Sequence, residues 1–294
     1  MKKLNQKPIV SVYMPVFNAA PYLSQAIESI LNQTYSNFEF IIVDDASTDS
    51  SWKIIKSYAA SDKRIKIHRN SIDLGVSLTS NIAISKARGA FLARIDADDV
   101  ALSDRLEKQI NYLKSHSKTV AVGGQCVCID ADNKIVGYKK FPTSPTKLRE
   151  MIFWAIPLQQ PSVMINLSLL PKNFTWYDRT KSSAEEVNLM FKLLKHGQLA
   201  NLPNFILFYR QLPGSLSHRN PKNTFVLTLQ SRLVAIENGF KPSLKAIILN
   251  LAQIIVISVL PNSAINNLWN LIRGISTRDS QYQLGSSAPI NVYN

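Results

Sequence analysis

Three carboxylates within four positions, Asp96, Asp98 and Asp99, are the residues of this chain best suited to chemistry. They follow residues 91–95, a mostly apolar run that predicts a buried strand. Carboxylates this close repel one another unless a cation joins them, and their hard oxygens suit Mg²⁺ or Mn²⁺. Because Mg²⁺ takes few protein carboxylates and completes its shell with phosphate oxygens and water, one interpretation is a metal that holds a diphosphate. The alternative is an acidic loop that caps a helix beginning near Arg105.

The elements that must position this cluster alternate between strands and helices. Apolar runs predict the strands, and the amphipathic stretches between them predict the helices. The predicted strands are 9–17, 38–43, 65–68 and 91–95, and the predicted helices begin near residues 21, 47 and 76. Alternation at this spacing is typical of an α/β fold with a Rossmann-like, mostly parallel sheet flanked by helices.

Polar residues end each of these strands, at 15–18, 44–45, 69–70 and 96–99. The carboxyl ends of parallel strands meet at one edge of a sheet, so the polar clusters are expected to converge on one crevice. There Asp45 is suited to accept a hydrogen bond from a nucleotide base, and Asp96 is suited to accept one from a ribose hydroxyl. Asp98 is suited to bind the metal. Neither a G-x-G-x-x-G fingerprint nor a Gly-Lys-Ser/Thr loop occurs, which argues against a dehydrogenase and a P-loop kinase.

The composition points to an anionic partner. The 294 residues carry 34 Lys and Arg against 20 Asp and Glu, a net charge of +14. Nucleic acid, an anionic membrane surface and phosphorylated substrates are the candidates. The acidic clusters at the predicted crevice and the lack of a recognised binding motif argue against nucleic acid. Cys126 and Cys128 are the only cysteines, and the start of the chain has no apolar signal region, so we expect a reducing, cytoplasmic compartment.

Past residue 103 the regular alternation ends. The patterns predict helices at 105–114, 145–154 and 187–194, a hairpin at 120–136, strands at 160–165 and 205–209, and a basic loop at 210–218. Glu185 and Glu186 open the third of these helices. Acids in a first helical turn have a structural explanation, because they favour the helix dipole, and a catalytic carboxylate is the alternative.

The last part of the chain is apolar and basic. Residues 244–260 are almost continuously apolar, and residues 262–275 form a second amphipathic pattern that includes Trp269. Seventeen residues with polar interruptions are short for a bilayer span, which takes about 20. Three arrangements are possible: a helix packed on the domain, a helix at a membrane interface, or a true span. Basic charge and the tryptophan favour a membrane surface contacted through residues 241–275, followed by a flexible tail at 281–294.

Five segments, in order, resemble the inverting nucleotide-sugar glycosyltransferases of family 2, which have the GT-A fold. They are Val-Tyr-Met-Pro-Val-Phe-Asn at 12–18, Ile-Ile-Val-Asp-Asp-Ala-Ser-Thr-Asp at 41–49, Asn70 with Leu-Gly-Val-Ser at 74–77, Ala-Arg-Ile-Asp-Ala-Asp-Asp at 93–99 with Arg-Leu-Glu-Lys-Gln at 105–109, and Asn-Leu-Pro at 201–203 with Tyr-Arg at 209–210. The resemblance implies a glycosyltransferase domain at 1–220, divided into a nucleotide-binding half at 1–103 and an acceptor half at 104–220. A helical extension at 221–294 would follow.

The resemblance also implies roles for individual residues. The nucleotide site would comprise Pro15, Phe17, Asn18, Asp45, Asn70 and Asp96. Asp98 of the Asp-x-Asp motif would bind Mg²⁺ or Mn²⁺. The catalytic base would be Glu186, where the family usually carries aspartate, and Gln160 stands where the family often has histidine. Asp99, Glu185, Gln160 and Arg210 would support the site.

The implied reaction is metal-dependent transfer of a sugar, with inversion, from a nucleotide-sugar to a hydroxyl. A UDP-sugar is the expected donor, and a glycan or lipid-linked acceptor of surface polysaccharide synthesis is the expected partner, at the inner face of the cell membrane. Two alternatives stay open. A sugar-nucleotide pyrophosphorylase would need a glycine-rich basic loop after the first strand, and residues 15–20 contain neither glycine nor lysine. A glycosyltransferase-like protein that binds the donor without transferring the sugar would fit the pair Glu185–Glu186, because the family usually carries aspartate at the second position.

Overall fold

The computed structural model describes residues 8–178, 185–212, 221–260, 265 and 275–276. The strands of this part are β1 Val10–Val16, β2 Phe38–Asp44, β3 Ile65–Arg69, β4 Phe91–Arg94, β5 Val100–Ala101, β6 Thr119–Ile129, β7 Ile135–Lys139, β8 Met164–Asn166, β9 Gln198–Arg210 and β10 Ile275–Ser276. The helices are α1 Ala20–Leu31, α2 Ser51–Ser61, α3 Val76–Ser85, α4 Arg105–Ser115, α5 Pro145–Met151, α6 Glu185–Leu194, α7 Pro221–Glu237 and α8 Leu244–Val259.

The first half of the chain forms the predicted parallel part of the sheet, in the order β3, β2, β1, β4. Every residue of β2 is buried, as expected for a parallel strand covered on both faces. Its one charged residue before the strand end, Glu39, is paired: Ser11 Oγ donates to one carboxylate oxygen at 2.7 Å, and Arg88 Nη2 lies 2.7 Å from the other. The strand tolerates a buried acid because each oxygen has a donor.

The second half makes the sheet mixed. β8 runs antiparallel to both β4 and β6, and β6 pairs with β7 in the predicted hairpin and with β9 in parallel. The expected strand at 160–165 is only partly correct, because Gln160–Ser162 form a 3-10 turn and the strand begins at Met164. Pro161 lacks the N–H that a central strand needs, since β8 lies between two partners.

Helices cover both faces of the sheet. One apolar cluster packs α1, α2 and α4 against the sheet through residues such as Ile27, Ile55 and Ile110. The other packs α3, α5 and α6 on the opposite face through residues such as Ala83 and Met190. This arrangement confirms the predicted α/β fold with flanking helices, and it leaves the strand ends free to build a crevice.

The helical extension after residue 220 is also present. α7 and α8 dock on the second cluster, where the rings of Phe191 and Phe240 lie 5.3 Å apart. Within the residues that the structure describes, no helix is both long enough and apolar enough to cross a membrane. The predicted helix at 262–275 and the tail at 281–294 fall outside the described residues, except that Ile265 is buried and Ile275–Ser276 pair with β7.

Candidate active site

The loops after β1 and β2 interlock at the sheet edge where the site was predicted. Asn18, with a positive φ of 48°, accepts at Oδ1 from the backbone N–H of Thr48 at 2.8 Å and of Asp49 at 3.4 Å. Its own N–H donates to Ser47 Oγ at 3.0 Å. Asparagine tolerates this left-handed conformation better than most residues, which explains its place at the turn. The preceding residue, Phe17, is 51% exposed.

Asp45 and Asn70, both predicted to bind the nucleotide, are in contact. Asp45 is 2% exposed, and its Oδ1 accepts from Asn70 Nδ2 at 2.8 Å and from Leu74 N at 2.9 Å. Oδ2 accepts from Gly75 N at 2.8 Å. A carboxylate offers about four acceptor positions, so acceptor capacity remains at Oδ2 for a ligand donor. The side chain that was predicted to recognise the base therefore also holds the loop after β3.

The three carboxylates after β4 have different surroundings. The Asp96 side chain is 31% exposed and accepts from Arg94 Nε at 2.8 Å. Burial, followed by the charge of Asp96, raises the pKa of Asp98 to about 6. Asp99 is 1% exposed; its Oδ1 accepts from the backbone N–H of Arg210 at 2.8 Å, and its Oδ2 is buried without a hydrogen-bond partner. Burial and the two neighbouring carboxylates raise the pKa of Asp99 well above its usual range.

This loop fits a divalent cation in its donor chemistry. The oxygens are hard ligands, burial and then repulsion between the carboxylates raise the pKa values of Asp98 and Asp99, and Asp99 Oδ2 is a buried acceptor without a hydrogen-bond partner. In the described part of the chain, no three His, Cys, Asp or Glu side chains are grouped to enclose a metal. A cation at Asp98 would therefore need phosphate oxygens or water to complete its shell, which is the usual habit of Mg²⁺.

Arg210, which was predicted to support the site, joins the acidic loop to neighbouring elements. Besides the backbone contact with Asp99, its Nε donates to the carbonyl oxygen of Asp98 at 2.8 Å. Its Nη2 donates to Gln25 Oε1 at 2.8 Å and to Asn133 Oδ1 at 2.7 Å. The residue thus joins the acidic loop, α1 and the β6–β7 turn. Arginine suits this position because its planar fork carries five donors.

Tyr177 is the principal site residue that the sequence analysis missed. Its hydroxyl accepts from Arg94 Nη1 at 3.1 Å and from Gln160 Nε2 at 3.0 Å, and lies 3.0 Å from the hydroxyl of Tyr13. Asn81 fixes its backbone, donating from Nδ2 to Tyr177 O at 2.8 Å and accepting at Oδ1 from Tyr177 N at 3.1 Å. Tyr177 therefore connects Gln160 to the arginine that holds Asp96.

The same network reaches Glu186. This residue lies in the first turn of α6 and lines a narrow cavity of about 20 Å³ together with Arg94, Gln160 and Tyr177. Apolar side chains such as Met190 form the remaining wall. Glu185 shares the helical turn but does not line the cavity, and residues 179–184 before it fall outside the described residues. The fold thus places Glu186 and Gln160 at the same cavity as Arg94, whose Nε donates to Asp96.

Charge compensation within this network shows in two pKa shifts. Burial alone would lower the pKa of Arg94, but the Asp96 carboxylate and the two tyrosine hydroxyls outweigh it and the pKa is raised. Burial and the neighbouring Tyr177 raise the pKa of Tyr13 well above its usual value. At neutral pH the Arg94 guanidinium therefore stays charged and the Tyr13 hydroxyl stays protonated.

Comparison with known proteins defines the class of protein. Residues 11–180 match glycosyl transferase family 2, and because this covers more than half of the 294 residues, the chain belongs to that family. An uncharacterized glycosyltransferase of Haemophilus influenzae is 29% identical over 211 residues, 69% of this chain and 65% of that protein. The putative teichuronic acid biosynthesis glycosyltransferase TuaG of Bacillus subtilis is 30% identical over 200 residues, 62% of this chain and 79% of TuaG.

A third relative has a more specific name. The Escherichia coli protein WfgD, a UDP-Glc:alpha-D-GlcNAc-diphosphoundecaprenol beta-1,3-glucosyltransferase, is 35% identical over 130 residues. The match covers 44% of this chain and 49% of WfgD. The chain thus spans about half of WfgD and just under two thirds of the Haemophilus protein.

Solved structures establish the GT-A fold. Staphylococcus aureus TarS 1–349 in complex with UDP-GlcNAc superposes with a TM-score of 0.62 at 18% identity, over 82% of this chain and 70% of that chain. The mannosyltransferase PcManGT of Pyrobaculum calidifontis, in complex with GDP-Man and Mn²⁺, gives a TM-score of 0.56 at 17% identity, over 92% and 86% of the two chains. At these identities the likeness concerns the fold alone.

Proposed function

We propose that the protein transfers a sugar from a nucleotide-sugar, a UDP-sugar, to a hydroxyl group of a glycan or lipid-linked acceptor, with inversion at the anomeric carbon. The observation that supports this most is the arrangement of the strand-end residues. Asp45 with Asn70 lies at the end of β2 and β3, Asp96 and Asp98 lie at the end of β4, and Glu186 lines a cavity together with Arg94, which donates to Asp96. In this proposal, the carboxylates that recognise the nucleobase, bind the metal and take the acceptor proton lie near one edge of the sheet.

Each residue has a defined task in this proposal. Asp45 accepts a hydrogen bond from the base at Oδ2, and Asp96 accepts from the ribose. Asp98, supported by Asp99, would hold Mg²⁺ or Mn²⁺, which supplies positive charge to the nucleoside diphosphate leaving group. Glu186 takes the proton of the acceptor hydroxyl as that oxygen attacks the anomeric carbon from the face opposite the diphosphate. One displacement inverts the configuration and needs no covalent sugar–enzyme intermediate.

The relatives and the charge support a choice of acceptor and of place of action. WfgD, by its name, uses a UDP-sugar and an acceptor on diphosphoundecaprenol. We place the reaction at the inner, cytoplasmic face of the cell membrane, in the synthesis of a surface polysaccharide. The net charge of +14 suits both a diphosphate donor and an anionic membrane surface.

The substitution Glu186→Gln tests the central role. Glutamine keeps the size of the side chain but cannot take a proton, so we expect donor affinity to stay unchanged and the transfer rate to fall by roughly 10²–10⁴-fold. Glu185→Gln is the matched control, since Glu185 shares the turn but does not line the cavity. Undiminished transfer by the Glu186 variant would refute the assignment of Glu186 as the catalytic base. Donor binding without transfer by the unaltered protein would instead favour a sugar-nucleotide-binding protein, the alternative raised by a glutamate where the family usually has aspartate.

A further inference from the structure

α8 carries the amide side chains of Asn250 and Gln253 on its inner face and most of its large aliphatic residues on its outer face. The inner face contains Asn250 and Gln253, which are partly buried, and the buried Ala246 and Ile257. A helix on the surface of a water-soluble domain normally shows the opposite distribution, with apolar residues inward and polar residues in water. The reversal needs a physical explanation.

Hydrogen bonds hold α8 in this orientation. Gln253 Nε2 donates to the carbonyl oxygen of Trp154 at 2.9 Å, and Asn250 Nδ2 donates to the carbonyl oxygen of Phe153. Arg232 of α7, which is 4% exposed, donates from Nη1 to Asn250 Oδ1 at 2.8 Å. Rolling the helix to bury its aliphatic face would leave these buried groups without partners, at about 1–3 kcal/mol for each. The fold therefore commits the aliphatic face to the outside.

The outer face is one continuous aliphatic stripe. Its members recur at the helical period along all 16 residues, a length of roughly 24 Å. The stripe consists of Leu244, Ile247, Ile248, Leu251, Ile255 and Val259, whose exposed fractions are between 44% and 76%. Exposed apolar patches of this extent mark contact with another apolar phase or partner, whereas single exposed aliphatic residues need no explanation.

Charge identifies the partner as a lipid surface with anionic headgroups. The exposed Lys241 and Lys245 lie at the start of the stripe, and residues 241–260 contain no acid. A second copy of the chain is the weaker candidate, because two molecules of net charge +14 repel and the stripe lacks the aromatic and arginine residues that enrich protein interfaces. Aliphatic side chains flanked by lysines are typical of helices in the headgroup region of a bilayer.

We propose that the outer face of α8 docks the protein on an anionic lipid surface, with the helix axis lying in the plane of the interface. The inference deepens the proposed function, because it names the surface that would present a lipid-linked acceptor. Only the link to a lipid-linked acceptor rests on the proposed function, because lipid docking itself is inferred from α8. Vesicle binding is measured without donor or acceptor, so its failure is distinguishable from a failure of transfer.

The test is flotation of the full chain with vesicles of phosphatidylcholine, with and without phosphatidylglycerol. We expect binding to the anionic vesicles that weakens with salt. Ile248→Ser combined with Ile255→Ser should lower the partition coefficient at least about tenfold, because burial of a single isoleucine is already worth about that much. Ile72→Ser, at a side chain that is 63% exposed elsewhere on the surface, is the matched control and should bind as before.

Three results would overturn the proposal. One is no binding of the unaltered chain to anionic vesicles, and another is equal binding of the serine pair and the unaltered chain. The third is a concentration-dependent dimer, seen by light scattering without lipid, that the serine pair abolishes, since this would assign the stripe to a second copy. The substituted side chains are exposed, so an unchanged thermal midpoint shows that lost binding does not arise from lost folding.

Discussion

At the scale of single residues, the hydroxyl of Tyr177 serves three partners at once. An aromatic hydroxyl has two acceptor positions and one donor hydrogen, and here Arg94 and Gln160 occupy the acceptor positions. The hydrogen is then left for Tyr13. Removal of this one oxygen would leave Arg94 Nη1 and Gln160 Nε2, both at the cavity of Glu186, without their shared acceptor.

The substitution Tyr177→Phe should therefore affect both stability and turnover. The donors of Arg94 and Gln160 lose a buried acceptor, so we expect the free energy of unfolding to fall by about 1–3 kcal/mol. Because Tyr177 acts by positioning its neighbours, kcat should fall while the donor KM changes little. Urea unfolding and initial rates of transfer measure the two effects. Tyr138→Phe, on β7, is the matched control; equal behaviour of the two variants would contradict the positioning role.

The two cysteines give a prediction about reactivity. Both are free and buried in β6, and burial raises both pKa values, that of Cys128 to about 11. The thiolate is the reactive form, so at pH 8 both groups stay protonated and unreactive in the folded protein. We expect no reaction with a thiol reagent at pH 8 until denaturant unfolds the chain, when two thiols react. Rapid modification of the native protein would show that the two thiols of β6 are accessible to the reagent in the folded state.

At the scale of elements, α4 fastens the acidic loop to the centre of the sheet. Its buried Arg105 donates from Nη2 to the carbonyl oxygen of Arg94 at 2.6 Å, at the end of β4. One turn later, Gln109 Nε2 donates to the carbonyl oxygens of Val122 at 2.9 Å and Ser162 at 2.7 Å. The helix thus supplies donors to backbone groups of β4, β6 and the 3-10 turn.

The substitution Gln109→Leu should destabilise the whole domain. It fills a similar volume but leaves two buried carbonyl groups without this donor, so we expect the free energy of unfolding to fall by about 2–4 kcal/mol. Urea unfolding measures the change. Asn111→Leu on the exposed side of the same helix is the matched control, with an expected change of at most about 0.5 kcal/mol. A small effect at Gln109 would mean that other groups satisfy these carbonyls.

The same scale explains which parts of the fold the sequence predicts. β1 to β4 and the helices between them were predicted within a few residues, because buried parallel strands are continuous apolar runs and the helices have a clear period. The limits of β9 were predicted wrongly as 205–209. The strand begins at Gln198 and passes through Pro203, where the pairing with β6 is irregular. A proline and a shifted register hide a strand from any local pattern.

The candidate site divides in the same way. The strand ends and the family resemblance predicted that Asp45 and Asn70 belong to one nucleotide site and that Asp99 and Arg210 support it. The direct contacts of Asp45 with Asn70 and of Asp99 with Arg210 come from the structure. Tyr177 could not be predicted, because its contact with Tyr13 joins residues 164 positions apart and no motif surrounds it. Such contacts depend on the antiparallel return of the second half onto β4, which local periodicity does not specify.

At the scale of the whole molecule, a strongly basic protein concentrates buried acids at one sheet edge. The net charge is +14, yet Asp45, Asp98 and Asp99 lie together near the strand ends with raised pKa values at the last two. The overall charge attracts a diphosphate, while the local carboxylates would repel it. A bound divalent cation would resolve this conflict, so we expect nucleotide binding to depend on the metal.

Thermal unfolding with UDP and Mn²⁺ tests this dependence. A ligand at one hundred times its Kd stabilises the folded state by about 2.7 kcal/mol, which for this size of domain corresponds to a rise in Tm of roughly 5–10 °C. We expect that rise with UDP and Mn²⁺ together, little change with UDP and EDTA, and loss of the rise in Asp98→Asn. Asp132→Asn, in the exposed β6–β7 turn, is the control variant and should respond like the unaltered chain. An equal rise in EDTA would refute the metal requirement at Asp98, and a rise with GDP but not with UDP would refute the choice of uracil at Asp45.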